Sequence, residues 1–249
     1  MVGHEVFISQ MKDQIRIFQK QNRLIMTYFL TISEQAILQN MVPKNICVVF
    51  DGGYENAERK IACFIPEGYE GFSDCVCLHA TYNSKFKTLT HSDLLGCLMH
   101  SGIERSVIGD LIVQEDDLYI FCKKKISKYI IDNCTQIGKC STQIGKCTVH
   151  FEVCLDYEII KNNKQEIRVM CSSLRLDSVV AQLSHCSRSE ALKKIHAGFV
   201  KVNDVVLEQN LQLCNNDFVS IRKTGRFQFK EVVSTTKKGR LVLNFDQYI

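Results

Sequence analysis

Apolar positions along this chain recur at two periods, and the switches between them mark the elements. Val6, Ile8, Met11, Ile15 and Phe18 fall on one helical face and predict a helix over about residues 5–19. A second helix follows Thr31. Thr31 and Glu34 have capping-box spacing, Ala36, Ile37 and Met41 lie behind them, and Pro43 stops the run. The apolar run 45–50, bounded by Asp51-Gly52-Gly53, predicts a buried strand and a turn. Residues 59–65 read as its hairpin partner, and 75–80 as a further strand.

A second region starts near Tyr82. Thr90-His91-Ser92-Asp93 is rich in capping side chains. Leu94, Leu95, Leu98 and Met99 then repeat at helical spacing up to Gly102. Residues 111–113 and 118–122 read as strands around a turn at 115–117. Residues 124–133 read as a helix with Ile126, Tyr129, Ile130 and Ile131 inward. Residues 148–157 and 165–171 alternate as strands do. Helices interleaved with such strands predict an α+β fold.

In the last third, Leu176, Val179, Val180 and Leu183 mark a short helix opening near Asp177 and broken at His185-Cys186. Ser187 and Glu190 stand at capping-box spacing for the next helix. Ala191, Leu192 and Ile195 turn inward there, Lys193 and Lys194 outward, and Gly198 ends it. Residues 199–203 form a strand with Lys201 and Asn203 on one face and Val200 and Val202 on the other. Asn203-Asp204 makes a turn, and 217–222 is another strand. About 55 residues leave little core to spare, so a charged surface is expected.

Composition narrows the function. The chain has 249 residues, 45% hydrophobic and 23% charged, with two prolines and no tryptophan, which suits two or three ordered domains joined by short connections. The first residues lack the pattern of a signal peptide, and the longest apolar stretch, around 24–32, is too short to span a membrane. A soluble, cytoplasmic, monomeric protein is expected. The thirteen cysteines show no Cys-x-x-Cys and no regular framework, so they read as reduced thiols. Cys75, Cys77 and His79 alternate on one strand face without a second pair to complete a metal site. The spacing of Cys134, Cys140, Cys147 and Cys154 matches no ligand pattern. No metal and no cofactor is expected.

Net charge is +4, unevenly spread. Residues 172–249 hold twelve Lys/Arg and seven Asp/Glu, a net of +5, and the rest nets −1. An excess of that size on a small module suits a polyanion. The helix start at Ser187–Ser189 presents backbone N–H groups to an anion. Thr135-Gln-Ile-Gly-Lys-Cys140 recurs as Thr142-Gln-Ile-Gly-Lys-Cys147, a duplication that lengthens a loop and carries Lys139 and Lys146.

No catalytic residue is assigned. Asp51-Gly-Gly-Tyr54 lacks the spaced glycines and Lys-Ser/Thr of a phosphate-binding loop and reads as a hairpin turn. His79, His91 and His100 have no nucleophile and carboxylate paired with them. The central region lacks an obvious pair of exposed strand aromatics for base stacking.

Arg175-Leu-Asp, Ser187-Arg-Ser-Glu-Ala191, Gly198-Phe-Val-Lys-Val-Asn203 and Asp217-Phe-Val-Ser-Ile221 agree in order and spacing with the ribosomal-protein S4-type RNA-binding domain, which this module resembles. The resemblance implies RNA contacts from Arg175, Ser187, Arg188, Ser189, Lys193, Lys194, Lys201 and Asn203, with Arg222 and Lys223 beside them. The family usually has Gly where Asp204 stands, and a carboxylate there would repel a phosphate.

The match extends along the chain. Thr31-Ile-Ser-Glu-Gln-Ala-Ile-Leu38, residues 51–59, Leu94-Leu-Gly-Cys-Leu-Met99, Gly102-Ile-Glu-Arg105, Ile108-Gly-Asp-Leu111 and Ser172-Ser-Leu-Arg-Leu-Asp177 look like the bacterial YlmH-type family. The resemblance implies an N-terminal α+β domain (1–81), a central RNA-recognition-like α/β sandwich (82–171), an S4-type domain (172–235) and a C-terminal strand or tail (236–249). It further implies a non-catalytic RNA-binding factor on ribosomal RNA of the large subunit, with stalled peptidyl-tRNA, in ribosome-associated quality control, and a link to cell division. The alternatives are an RNA-modifying enzyme of pseudouridine-synthase type and a cell-division interaction protein docked on RNA. The nucleophilic-Asp motif of the former is absent, as are the His-Ile-Gly-His and Lys-Met-Ser-Lys-Ser motifs of a tyrosyl-tRNA synthetase.

Overall fold

A computed structural model describes residues 4–69, 74–85, 88–137, 147–155, 164–207 and 209–248. The chain forms two compact units, Met1–Ile159 and Ile160–Ile249. Both mix helices with antiparallel sheets, so the fold is α+β.

The first unit opens with α1 (Glu5–Gln21), β1 (Ile25–Leu30), α2 (Ile32–Met41), β2 (Cys47–Asp51) and β3 (Lys60–Ile65). Met11, Ile15 and Phe18 of α1 are buried as their spacing predicts, and Phe7 packs against the same core, but Val6 is 72% exposed because it lies off that face of the helix. The Thr31/Glu34 capping box is present: Thr31 N donates to Glu34 Oε2 (2.8 Å) and Glu34 N to Thr31 Oγ1 (3.4 Å). Strand β1 is not predicted by periodicity. Both of its faces meet neighbours, so its apolar residues do not alternate. The sheet order is β1-β3-β2. The run expected as a buried strand, β2, is therefore an edge, with Cys47 and Val49 exposed, and β3 is the strand buried on both faces.

The same unit continues with β4 (Cys75–Thr81), α3 (His91–His100), a 3-10 turn (Arg105–Val107), β5 (Ile108–Gln114), β6 (Asp117–Lys123), α4 (Lys124–Asn133), β7 (Gln136–Ile137), β8 (Cys147–Thr148) and β9 (Glu152–Cys154). The four-stranded sheet has the order β5-β6-β4-β9, all antiparallel. Counted within this sheet the strands run 2-3-1-4, with a helix after the first and after the third, the split βαβ arrangement. Leu78, Leu118 and Ile120 pack on one face against Leu94 and Leu98 of α3 and Ile130 of α4, and among the described residues neither helix packs on the other face. Tyr129, expected inward, is 44% exposed, and its hydroxyl donates to the Ser101 carbonyl. Strands β7 and β8 pair across the duplicated segment. Lys139, Lys146 and Cys140 lie outside the described residues.

Two motifs that are distant in sequence lock together here. The Asp110 carboxylate of β5 accepts hydrogen bonds from the Tyr54 hydroxyl (2.8 Å), Glu58 N (2.7 Å) and Arg59 N (3.1 Å). Arg59 in turn donates to the carbonyls of Phe29 and Ile108. The stretch read as a hairpin turn after Asp51 is thus a longer connection docked on β5. A side chain at Gly109 would meet the Phe29 ring at 2.6 Å, which is why the approach needs glycine.

The second unit contains β10 (Lys164–Cys171), α5 (Leu176–Leu183), α6 (Arg188–His196), β11 (Val200–Val202), β12 (Val205–Val206), β13 (Phe218–Ile221), β14 (Gly225–Thr235) and β15 (Leu241–Tyr248). The sheet order is β10-β15-β14-β13-β11-β12. Both helices lie on one face, where Leu176, Val180, Ala191 and Ile195 meet Val200, Val219, Phe229 and Phe245. Sheet pairing moves three expected boundaries. Strand β4 belongs with the central sheet, not with residues 1–81. Strand β10, expected in the central domain, pairs along its whole length with β15. Strand β15, expected as a C-terminal strand or tail outside the module, is a strand and lies within this sheet between β10 and β14. Each pairing is long-range, so no local pattern announces it. Among the described residues no helix is long and apolar enough to cross a membrane.

Candidate nucleic-acid interface

Helix α6 presents a cationic face because its apolar residues are spent on the core. Ala191 and Ile195 are buried, while Lys193 is exposed on the opposite side and Lys194 half-exposed on the flank between. Its N-terminus is closed by the capping box: Ser187 N and Oγ donate to Glu190 Oε2 (2.9 and 2.8 Å), and Glu190 N donates to Ser187 Oγ (3.2 Å). Ser189 Oγ lies 3.0 Å from Ser187 Oγ. These bonds, the backbone one first, hold the Glu190 carboxyl below the usual carboxylate range. The serines expected to receive a phosphate are thus engaged with the helix's own anion.

Arg188 and Arg175 converge on Asp177, whose side chain is 3% exposed at the start of α5. Arg188 donates to Oδ2 from Nη2 (2.6 Å) and Nε (3.1 Å), and Arg175 Nε to Oδ1 (3.2 Å). Burial opposes ionisation of Asp177, but the adjacent Asn210 amide and the hydrogen bonds from Arg188 and Arg175 outweigh it and hold the pKa at about 2. More than half of each arginine side chain remains exposed. Two cations are thereby fixed beside one buried anion at the end where α5 and α6 begin.

Lys201 leaves β11 on the face opposite Val200 and Val202, away from the helices. Asn203 faces inward on its surroundings. Its amide donates to Asp217 Oδ1 (2.7 Å) and accepts from Phe218 N (3.0 Å), which holds the β11–β12 turn. Asn203 and Asp204 both have positive φ (51° and 67°), as a two-residue hairpin requires. The Asp204 carboxylate, expected to repel a phosphate, is paired with Arg226 at 3.5 Å, and that guanidinium stacks on Phe218 at 4.9 Å. Arg222 and Lys223 sit in the turn between β13 and β14. Arg222 lies 5.0 Å over the ring of Phe199, an exposed aromatic absent from the sequence-based set.

The structure thus gathers Arg175, Arg188, Lys193 and Lys194 on the helical layer, puts Lys201 on the reverse of the sheet, and gives Ser187, Ser189 and Asn203 internal partners.

The helix-free face of the central sheet carries a second feature. His79 on β4 and Tyr119 on β6 are direct cross-strand partners, and their rings stack at 4.8 Å and 28°. Ile112 and Glu152 extend the row on either side. His79 Nε2 lies 2.6 Å from Asp117 Oδ1. Burial, then Asp117, raises the Tyr119 pKa. This half-exposed pair supplies the strand aromatics that the sequence did not reveal. The signal would have been the register of β4 against β6, but a helix and a strand separate them in the chain. Cys75 and Cys77 share the His79 face, as their alternation predicts. Cys77 faces Cys154 across the ladder, and burial first pushes its thiol well above the ordinary range.

Residues 71–150 match the family model described as "Putative RNA-binding domain in YlmH", a stretch that includes His79 and Tyr119. The chain is 31% identical over 246 residues to the Bacillus subtilis ribosome-associated protein quality control protein P2, covering 97% of this chain and 94% of that one. Among solved structures, the cell division protein ylmH from Streptococcus pneumoniae is similar in fold, with a TM-score of 0.51 and 19% identity, covering 61% of this chain and 92% of that one. With near-complete coverage at that identity, and with the family's RNA-binding region matched in sequence, this chain belongs to the YlmH family.

Proposed function

We propose that this protein is a non-catalytic factor that binds structured ribosomal RNA on the large ribosomal subunit, where stalled peptidyl-tRNA is present, and acts in ribosome-associated quality control. The observation that carries this reading is the α6 face. Lys193 and Lys194 lie outward beside two arginines pinned on a buried carboxylate, in a unit whose charge is net positive. Fixed cations on a rigid helix can neutralise phosphates with little ordering cost. The name of the Bacillus relative supports the ribosomal setting, and the family model supports RNA as the ligand class. We read the second unit as an S4-type module. The Arg222–Phe199 stack and the His79–Tyr119 stack are the surfaces on which unpaired bases would lie, since every base offers a π-face to an aromatic ring.

Cosedimentation tests this. Purified protein should pellet with bacterial large ribosomal subunits, and Lys193→Glu/Lys194→Glu should release it. Retention of that variant at wild-type level would overturn the α6 assignment. A search for modified bases in ribosomal RNA incubated with the protein should find none.

A further inference from the structure

The long hairpin of β14 and β15 ends in an exposed tip. From Glu231 to Thr235, β14 is exposed on both faces and hydrogen-bonds to β15 alone, having left β13 at Gln228. Two irregularities in the ladder, between Phe229 and Glu231 and between Val232 and Ser234, mark this stretch, and bulges of that kind turn a strand away from its sheet. The tip is closed and well defined. Thr236 N donates to the Arg240 carbonyl (2.7 Å), Gly239 N to the Thr236 carbonyl (2.9 Å), and Arg240 N to Thr236 Oγ1 (3.0 Å). Gly239 takes the left-handed φ of +74° that the closure needs. Lys237, Lys238 and Arg240 are all exposed, and no acidic residue lies between Val232 and Arg240. Among the described residues none of the three side chains makes a hydrogen bond or ion pair.

The register places this tip. Thr235 pairs with Leu241, and Leu241 with Cys171, the last row of the sheet. Ser172, next in the chain, has its hydroxyl 3.2 Å from that of Ser178, and Ser178 follows Asp177, on which Arg175 and Arg188 are anchored. The tip therefore stands at the end of the unit where α5 and α6 start. The cations of the tip and the two anchored arginines therefore share one end of the unit, the end from which α6 runs to Lys193 and Lys194.

We propose that Lys237, Lys238 and Arg240 form a second contact for the phosphate backbone of RNA, extending the α6 surface along the same bound strand or helix. The inference rests on the RNA-binding reading of α6. The ligand chemistry is that of phosphodiester oxygens: three unengaged cations on a closed loop offer charge and hydrogen-bond donors without reading bases, so the contact adds affinity and leaves sequence preference unchanged.

The experiment uses the full chain and purified bacterial large ribosomal subunits as probe, with binding measured over a range of salt. Lys237→Gln/Lys238→Gln/Arg240→Gln should weaken binding on the order of tenfold or more and lower the slope of log affinity against log salt by about 2–3, since each phosphate contact contributes about 0.7–0.9. Lys237→Arg/Lys238→Arg should restore wild-type behaviour. The thermal midpoint should not move, because the tip packs on no core. If wild type binds, the Lys193/Lys194 variant weakens and the tip variant matches wild type in affinity and slope, the tip assignment is wrong while the α6 reading stands. If wild type does not bind the subunits, the α6 reading itself fails. A weakened tip variant with an unchanged salt slope would also overturn the proposal, since it would point to a contact other than phosphate.

Discussion

Arg188 donates twice to one oxygen of Asp177, from Nη2 at 2.6 Å and from Nε at 3.1 Å, and the carboxylate it holds is buried. Sequence resemblance assigns Arg188 to RNA. The geometry gives it a second task, closing the joint between the first turns of α5 and α6. Asp177→Ala should therefore cost roughly 2–3 kcal/mol of unfolding free energy, the usual scale for a charged hydrogen bond lost from the interior. Urea unfolding at pH 7 measures it.

The same contact predicts an acid limit. The folded carboxyl of Asp177 is held at about 2, below its ordinary 3.8, so it binds a proton less readily folded than unfolded. Its stabilisation is fully present above about pH 4 and is lost as pH falls toward 2. Wild type should lose stability across that window, and Asp177→Asn should show a shallower loss there. Equal slopes for the two proteins between pH 4 and 2 would remove Asp177 as the cause.

Arg188→Glu is a poor probe of RNA binding for this reason, since it sets two carboxylates together at a buried joint. Lys193→Glu/Lys194→Glu avoids the problem, because neither side chain is buried or takes part in the Asp177 joint. This variant should keep the wild-type thermal midpoint and lower the salt slope of binding by about 1.5–2. Filter binding to ribosomal RNA at several salt concentrations, with a thermal melt alongside, separates lost contact from lost fold.

The His79–Tyr119 stack predicts a contribution from the central sheet. Tyr119→Ala should weaken binding to a single-stranded RNA by about 1–3 kcal/mol per stacked base, and Tyr119→Phe should bind like wild type. Fluorescence anisotropy with a short labelled oligonucleotide reads this. Equal affinity for the alanine and phenylalanine variants would exclude base stacking at this ring.

Asp110→Ala should leave the Tyr54 hydroxyl and the Glu58 and Arg59 amides without their shared acceptor. Loss of about 3 kcal/mol in the stability of the first unit is expected, because three hydrogen bonds to one charged acceptor are removed together. A shift below about 0.5 kcal/mol by chemical denaturation would mean that water replaces the carboxylate.

Much of the local structure is legible in the sequence, since its causes lie within a few residues. The capping pairs Thr31/Glu34 and Ser187/Glu190 form as their spacing predicts, and Gly198 is left-handed at the end of α6. Helix α4 keeps its predicted bounds, and the charge asymmetry that singles out the last third needs composition alone. Strand partners are a different matter. Strand β1 escaped because burial on both sides erases alternation, and β2 was read as interior when β3 holds that place.

The candidate site divides the same way. Lys193 and Lys194 face outward because Ala191 and Ile195 must face inward, a consequence of helical period alone. That Arg188 is tied to Asp177, that Arg226 neutralises Asp204, and that His79 stacks on Tyr119 required tertiary structure. Each joins residues 11 to 40 positions apart whose meeting depends on strand register and helix packing, and neither is encoded by the residues at the contact. Composition and helical period mark which surface is cationic; strand register and helix packing select which of those cations are held, which are neutralised and which are left to meet an anion.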